Sequence, residues 1–203
     1  MKTSWTKVLA VAALATMLIG CAKIKYPTYY TLNLSSVPDP PPPKTVTSSV
    51  AIRQFRSAEY LRQGPIVYRP SAERIGFYAY HRWAIDPRTT VTNAIAERVR
   101  AQGIFSDVRI YDGHSEPDYI LSGRLEKLEE VDSSKRVTVE VAISAQMIDV
   151  RSGSVVWSNS ASSSGGVEQH NVSAVVAQMS NTMDRTIQSL LSSLSVPTIR
   201  AAN

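Results

Sequence analysis

Residues 136–150 read RVTVEVAISAQMIDV, and this stretch decides the fold that the rest of the chain can adopt. Its apolar positions recur at every second residue, namely Val137, Val139, Val141, Ile143, Ala145 and Met147. The positions between them include Thr138, Glu140, Ser144 and Gln146. A period of two predicts a long β-strand with one face on a hydrophobic core and the other in water, as in an antiparallel sheet.

The residues after this strand predict a hairpin. Residues 149–153 read DVRSG, which predicts a tight turn with Gly153 at a positive φ. A second strand is then predicted over residues 154–160. Residues 161–166 read ASSSGG and predict a flexible loop, because serine and glycine are poor strand formers.

The residues before it predict a third long strand, over residues 118–131, so that the second half of the chain forms a meander. The apolar positions of this strand change phase at Leu128, which predicts a bulge near Glu126. Further strands are predicted over residues 29–34, 50–55, 66–69, 74–80 and 105–111.

Two helices are predicted. The first spans residues 87–102, with Asp86 as N-cap, Pro87 at the first helical position and Gly103 as the stop. The second spans residues 170–195 and has a long apolar stripe and an almost uncharged outer face. Side chains expected to be solvated on the first helix are Arg88, Glu97, Arg98 and Arg100.

These elements predict an α/β fold with an α+β tendency. A single domain over residues 29–196 would hold a mixed, largely antiparallel sheet with the two main helices packed on it, before a tail at 197–203. A loop over residues 37–49 carries a run of prolines that favours stiff polyproline II. A stiff connection is the favoured interpretation, and a ligand for a proline-binding groove is the alternative.

The N-terminus predicts export. Residues 1–21 read MKTSWTKVLAVAALATMLIGC, with Lys2 and Lys7 before an apolar run that ends at a glycine. The run is shorter than the roughly 20 residues that a membrane-spanning helix needs, so residues 1–20 are interpreted as a secretory signal.

Cys21 is the only cysteine of the chain. The preceding Leu-Ile-Gly resembles a bacterial lipobox, which implies cleavage between Gly20 and Cys21 and acylation of the Cys21 thiol. The alternative is an ordinary buried cysteine in a core helix. If the lipid is present, residues 21–28 form a tether, of which the seven residues after the cysteine extend to only about 25 Å.

The charge of the chain is mildly basic, with a formal net charge of +5 at pH 7. Two lysines would leave with the signal. The remaining charge allows weak attraction to anionic lipid headgroups, but it lacks the concentrated basic face of a nucleic-acid-binding protein, so no nucleic acid is expected as a partner.

The sequence offers little catalytic chemistry. His81, His114 and His170 have no spacing that suggests a metal site. Residues 112–115, DGHS, predict a turn rather than a triad, whose members need separated geometry. Gly165-Gly166 lacks the Lys-Ser/Thr of a phosphate loop. We therefore expect no enzymatic activity, no catalytic residues, no metal and no cofactor.

Two groups of side chains are candidate sites. Tyr78, Tyr80, Arg82 and Trp83 are predicted at a strand-to-helix junction, where they would contact a partner or a lipid headgroup; packing of the junction is the favoured alternative. The carboxylates of Glu126, Glu129 and Glu130 could form a paired-carboxylate site, but Lys127 and the strand setting favour a solvated strand edge.

Several short motifs, in this order, resemble the ABC-type transport auxiliary lipoproteins, the family that includes PqiC. They are Tyr29-Tyr30-Thr31-Leu32 soon after the lipobox, Ile66–Arg69, Tyr78-x-Tyr80-x-Arg82-Trp83, Asp118-Tyr119-x-Leu121-x-Gly123, the acidic Glu126–Glu130 and Val155-Val156-Trp157. The resemblance covers nearly the whole mature chain.

The resemblance implies a non-enzymatic lipoprotein of the outer membrane, anchored by lipid and facing the periplasm. It would assist an MCE-domain protein in lipid transport between membranes, with an ABC or membrane-bound component. Ala22 agrees with outer-membrane sorting, because an aspartate at that position retains lipoproteins at the inner membrane.

Two other functions are weighed against this one. An outer-membrane activator of a cell-wall synthase needs a long linker between lipid and domain, whereas the tether here is short. A lipid-anchored hydrolase is the third hypothesis. A homo-oligomer formed through the uncharged outer face of the second helix is also an expectation.

Overall fold

The structure is a computed structural model that describes residues 25–36, 47–133, 136–169 and 171–194. The strands are β1 (Thr28–Tyr30), β2 (Ser49–Ile52), β3 (Arg56–Ser57), β4 (Pro65–Ser71), β5 (Arg74–Trp83), β6 (Asp107–Ile110), β7 (Tyr119–Ser133), β8 (Arg136–Asp149) and β9 (Val155–Gly166). The helices are a short 3₁₀ turn (Glu59–Arg62), α1 (Pro87–Ala101) and α2 (Val172–Leu191).

Strand β7 is the centre of a single mixed sheet. One of its edges pairs in parallel with β2, β3 and β4 in succession, and its other edge pairs antiparallel with β8, which in turn pairs with β9. The sheet continues from β4 to β5 and β1 on one side, and from β2 to β6 on the other. With two helices on this sheet, the predicted α/β class with a mixed, largely antiparallel sheet is confirmed.

The local signals around the meander are confirmed. The β7–β8 register shifts between Leu125 and Lys127, which leaves Glu126 as the bulged residue. Gly153 has φ +70° in the turn between β8 and β9. Only a residue without a Cβ adopts this conformation at no steric cost.

Helix α1 begins as predicted. The Asp86 side chain accepts a hydrogen bond from the Arg88 backbone N–H at 2.9 Å, and Pro87 occupies the first turn. Gly103, at φ +62°, follows its end. The apolar face of α1 and the stripe of α2 pack with the inner face of the sheet. The shared core includes Val91, Ile95, Leu121, Leu125, Leu128, Ile143, Met147, Met179, Met183 and Ile187.

The prediction of a flexible loop over residues 161–166 is wrong. These residues continue β9, and Gly166 pairs with Thr138 of β8. The long regular β8 offers a complete row of backbone partners, and this pairing outweighs the low strand propensity of serine and glycine. Small side chains also let α2 approach the strand: a Cβ at Gly165 would lie 1.9 Å from Gln178 Nε2.

The predicted strand over residues 29–34 ends early, because β1 stops at Tyr30. The following residues leave the sheet and run along α2. The Asn33 backbone N–H donates to Ser180 Oγ at 3.0 Å, and the backbone N–H of Ser35 donates to Asp184 Oδ2 at 2.8 Å. Side-chain acceptors on α2 therefore replace the strand ladder here.

Arg98 is not solvated, which corrects the expectation for this side chain. It donates to Asp184 of α2 in an ion pair that is mostly shielded from water. Asp184 thereby joins both helices to the segment around Ser35. The spacing of apolar residues in α1 predicts which side of the helix faces away from the core. It does not predict that α2 will lie against that side.

The predicted signal peptide, Cys21 with its predicted lipid, most of the proline-rich loop and the tail fall outside the described residues. In the part of the chain that the structure describes, neither helix has the length and apolar character required to cross a bilayer.

Candidate functional site

Three of the motifs that resemble the family meet at one side of the sheet. Strand β1, with Tyr29 and Tyr30, pairs in parallel with the end of β5, so that Tyr29 lies beside Arg82. Strand β4 pairs with the other edge of β5, where Pro65 lies opposite Arg82. We call these three strands, β1, β5 and β4, the anchor-side edge, because β1 follows closely in sequence after Cys21, the predicted site of the lipid anchor.

The ladder of the anchor-side edge is interrupted by a wide bulge. Val67 pairs with Phe77, but the next pair is Pro65 with Arg82, so one residue of β4 faces residues 78–81 of β5. Such bulges bend a strand and change the direction of its side chains. The bulge lies within the motif Tyr78-x-Tyr80-x-Arg82-Trp83.

Tyr78 lies in an aromatic cluster created by this bulge. Its ring centroid is 5.0 Å from that of Tyr68 and 5.7 Å from that of His81 in an edge-on arrangement. The hydroxyl of Tyr30 lies 3.0 Å from His81 Nδ1. Aromatic pairs at these distances and angles are favourable, so the cluster ties β1 to β5 and β4.

The hydroxyl of Tyr78 donates a hydrogen bond to Glu130 Oε2 at 2.8 Å. Burial raises the pKa of Tyr78 above its ordinary value, and the hydrogen bond and negative charge of Glu130 raise this pKa further. The phenol is therefore a stable donor at neutral pH, and Tyr78 acts here as a packed, hydrogen-bonded side chain.

Tyr80 faces solvent on the same edge, together with two tyrosines that follow Cys21 closely in the sequence. Its side chain is 41% exposed, and those of Tyr26 and Tyr29 are 76% and 60% exposed. Lys25 Nζ lies 4.6 Å from the centroid of the Tyr80 ring. The edge thus presents exposed phenol rings and an ammonium group, of which Lys25, Tyr26 and Tyr29 lie within eight residues of Cys21 in the sequence.

Arg82 and Trp83 end β5. Arg82 Nη2 donates to the Gln63 carbonyl oxygen at 3.2 Å, which fixes the guanidinium across the neighbouring turn. Trp83 is only 8% exposed and belongs to the hydrophobic core. The structure therefore places all four residues of the predicted cluster on β5, with Tyr80 in solvent and Trp83 in the interior.

The interpretation of Glu129 and Glu130 as a solvated edge is wrong. The side chain of Glu129 is 0% exposed and forms a two-pronged ion pair with Arg69, at 2.8 and 3.0 Å. Tyr60 packs beside this pair, and burial, followed by the charge of Glu129, raises the pKa of Tyr60 to about 12. Strand β7 is central rather than an edge, and at Glu129 and Glu130, consecutive residues that point to opposite faces of the sheet, both side chains are buried.

The DGHS stretch is a turn, as predicted. The Asp112 carboxylate accepts hydrogen bonds from the backbone N–H groups of His114 and Ser115, at 2.9 and 2.8 Å. These bonds hold the pKa of Asp112 below its ordinary value. Among the described residues, no group of three histidine, cysteine, aspartate or glutamate side chains is arranged to hold a metal ion. Gly20, Cys21 and His170 lie outside these residues.

Solved structures share this fold. Protein XCC0632 from Xanthomonas campestris, of the DUF330 family, is 16% identical, with 81% of this chain and 92% of that chain covered and a TM-score of 0.69. A PelC dodecamer from Paraburkholderia phytofirmans is 21% identical, with 82% and 98% covered and a TM-score of 0.51. No curated protein matches the sequence.

A family match extends over most of the domain. The family described as "ABC-type transport auxiliary lipoprotein component" matches residues 30–190. This range begins in β1 and ends in α2, and it includes every strand of the anchor-side edge, either in whole or in part. The chain therefore belongs to the ABC-type transport auxiliary lipoprotein family.

Proposed function

We propose that this protein is a non-enzymatic accessory subunit of a lipid transport system that works between two membranes. A lipid on Cys21 would hold it to the outer membrane, facing the periplasm, where it would dock an MCE-domain partner. The family match supports the role of transport accessory. The observation that supports the docking role is the anchor-side edge, in which family-like motifs from β1, β5 and β4 pair side by side in one sheet.

The position of this edge supports contact with the membrane surface. Thr28 begins β1 only seven residues after Cys21, and seven extended residues reach about 25 Å. Exposed tyrosines and lysines are suited to the interface, because one end of each side chain is apolar and the other is polar. Tyr26 and Tyr29 would lie near the headgroups, and Tyr80 would face the partner or the lipid.

A crosslinking pull-down from cell envelopes tests this function. The wild-type chain should recover an MCE-domain protein, and Cys21→Ala should lose most of that recovery, because the domain is no longer held at the membrane. Ala22→Val, which keeps the cysteine, is the matched control and should recover the partner. Recovery of a cell-wall synthase instead would contradict the proposal and favour the alternative function.

Self-association is a further part of the proposal, and β9 is the surface for it. Within the described residues, β9 pairs only with β8, and its twelve residues contain no proline and no charged side chain. Natural edge strands are usually protected by such residues. The PelC neighbour, which has the same fold, is a dodecamer, and this agrees with an oligomer. Part of the outer face of α2 that was expected to associate is already buried, at Ser180, Thr182 and Thr186.

Light scattering of the purified chain tests the β9 proposal. Ser162→Lys places a charge on the exposed edge and should reduce the oligomer to the monomer mass, whereas Ser162→Ala should leave the oligomer intact. A wild-type chain that is monomeric at high concentration, or an oligomer unaffected by the lysine, would contradict a role for this edge.

A further inference from the structure

A hollow lies on the face of the sheet opposite the helices, and none of the functions above uses it. Its volume is about 750 Å³. It is formed by β7, β8 and β9 together with β3 and the residues just before β3. The residues with polar side chains that line it are Arg53, Gln54, Arg56, Ser122, Arg124, Ser144, Gln146, Ser158, Asn159 and Ser160.

The floor of the hollow consists of two rows of polar residues in register, four of which are serines. Arg124 pairs with Ser144, which pairs with Ser160, so the three lie side by side across the strands. A second row consists of Ser122, Gln146 and Ser158 in the same way. Small hydroxyl-bearing residues leave space above the sheet and offer hydrogen-bond donors to a bound molecule.

Two arginines stand at directly paired positions beside this floor. Strand β3 pairs in parallel with β7 so that Arg56 lies beside Arg124. Like charges at paired positions on adjacent strands are destabilising. Arg53 adds a third guanidinium to the same hollow. An anion bound between these groups would remove this repulsion.

The protein itself supplies only part of the compensating charge. Glu126 accepts a hydrogen bond from Arg124 Nε at 3.0 Å and another from Ser144 Oγ at 2.9 Å. Arg53 lies over the Tyr111 ring at 5.0 Å. In the part of the chain that the structure describes, neither Arg53 nor Arg56 forms an ion pair with a carboxylate. Most guanidinium N–H groups therefore remain available to a ligand.

We propose that this hollow binds a phosphate-bearing ligand. Arg56 and Arg124 would both contact the phosphate group, and Arg53 would lie at the rim of the hollow. Guanidinium groups match phosphate oxygens in fork-like, two-point hydrogen bonds. The hollow is much larger than a phosphate ion, and the serine rows beside the arginines would accept a polar alcohol esterified to the phosphate. A lipid headgroup and free inorganic phosphate share this chemistry. The binding site does not depend on the transport partner or on Cys21, so it is tested separately from the proposed function.

Titration of the purified full chain in an uncharged detergent tests this site. The probes are inorganic phosphate and glycerophosphoglycerol, the water-soluble headgroup of a phospholipid, followed by backbone amide NMR. Saturable shifts are expected at Ser122, Arg124 and Ser144. Saturation by both probes identifies a headgroup site, and saturation by inorganic phosphate alone identifies a free-phosphate site; both outcomes support the proposal.

Substitutions make the test specific. Arg56→Gln and Arg124→Gln should each weaken binding about ten-fold, because each removes charge-assisted hydrogen bonds. Arg109→Gln is the matched control, since Arg109 is an exposed arginine paired with Asp107 on β6, and it should bind as the wild type does. Glu126→Gln should tighten binding, a change that loss of folding would not produce.

Absence of saturable shifts with either probe would overturn the proposal. Equal binding by the control and the two glutamine variants would also overturn it. Arg56→Lys keeps the positive charge and should bind with intermediate affinity. If a glutamine variant unfolds, the affinity of Arg56→Lys still tests the proposal. Thermal melting of each variant identifies such a case.

Discussion

Glu129 and Arg69 form an ion pair whose carboxylate has no contact with water. The third guanidinium nitrogen of Arg69, Nη1, donates to the carbonyl oxygen of Ala72 at 2.9 Å, so the charged groups are also well hydrogen-bonded. Directly across the strands, Glu129 is paired with Glu140, which has its own cation in Lys127. Two carboxylates at paired positions are thus each balanced by a different positive side chain.

The buried pair should be sensitive to loss of one partner. Glu129→Gln leaves the Arg69 guanidinium without its anion and should lower the free energy of unfolding by about 3 kcal/mol. Glu140→Gln breaks the exposed pair with Lys127 and should cost less than about 1 kcal/mol. Urea denaturation of both variants measures the difference, and equal losses would contradict the role assigned to Glu129.

The hydrogen bonds of Asp118 should make the stability of the fold depend on pH in the acidic range. Its Oδ2 accepts hydrogen bonds from the backbone N–H and the hydroxyl of Ser49, at 2.7 and 2.8 Å, and these bonds lower the pKa of Asp118. Because the folded pKa is below the unfolded one, the stabilisation is complete above about pH 4 and is lost as the pH falls through the folded pKa. Asp118→Asn should therefore give a flatter loss of stability as the pH falls below about 4. Denaturation curves at several pH values test this, and parallel acid limbs would contradict it.

Single residues were predictable where the cause is local. The cap at Asp86, the stop at Gly103 and the turn at Gly153 depend on neighbouring residues only, and all three have the expected conformation. Glu129 was misjudged because its partner is sixty residues away in the chain. The pattern of apolar and polar residues in β7 does not indicate that Arg69 will lie beside Glu129.

At the scale of elements, the alternation in Arg136–Val150 was sufficient to predict β8, because one face of the strand is buried and the other is polar. The end of β9 was not predictable in this way. Serine and glycine there serve the close approach of α2, which no local pattern indicates. The bulge in β5 was also missed, since it depends on the register with β4.

The contact between α2 and β9 can be tested with two adjacent glycines. A Cβ at Gly165 would lie 1.9 Å from Gln178 Nε2 and 2.9 Å from Thr182 Oγ1, whereas a Cβ at Gly166 would meet nothing within 4 Å. The end of the Gln178 side chain can turn aside, but Thr182 is fully buried, so Gly165→Ala should lower the free energy of unfolding by about 1–3 kcal/mol. Gly166→Ala is the control and should change it by less than about 1 kcal/mol. Thermal or urea denaturation compares them, and equal effects would show that the helix does not constrain Gly165.

For the whole molecule, the fold class followed from the meander and the two amphipathic helices. The topology did not, because β2, β3 and β4 are short and pair in parallel with a strand far along the sequence. The sequence did indicate the cluster Tyr78–Trp83, but it could not indicate that β1 would lie against it. The arginines of the hollow come from two separate segments, so only the structure places them together.

The proposed function requires that the anchor-side edge faces the membrane and the partner. A photoreactive benzoylphenylalanine placed at Tyr80, and separately at Ser152 in the turn between β8 and β9, measures this most directly in intact envelopes. Both side chains are exposed, and the two sites lie on different branches of the sheet. Crosslinks from Tyr80 to an MCE-domain protein or to lipid, well above those from Ser152, are predicted. Equal crosslinking from the two sites, or capture of a cell-wall synthase at Tyr80, would contradict the account.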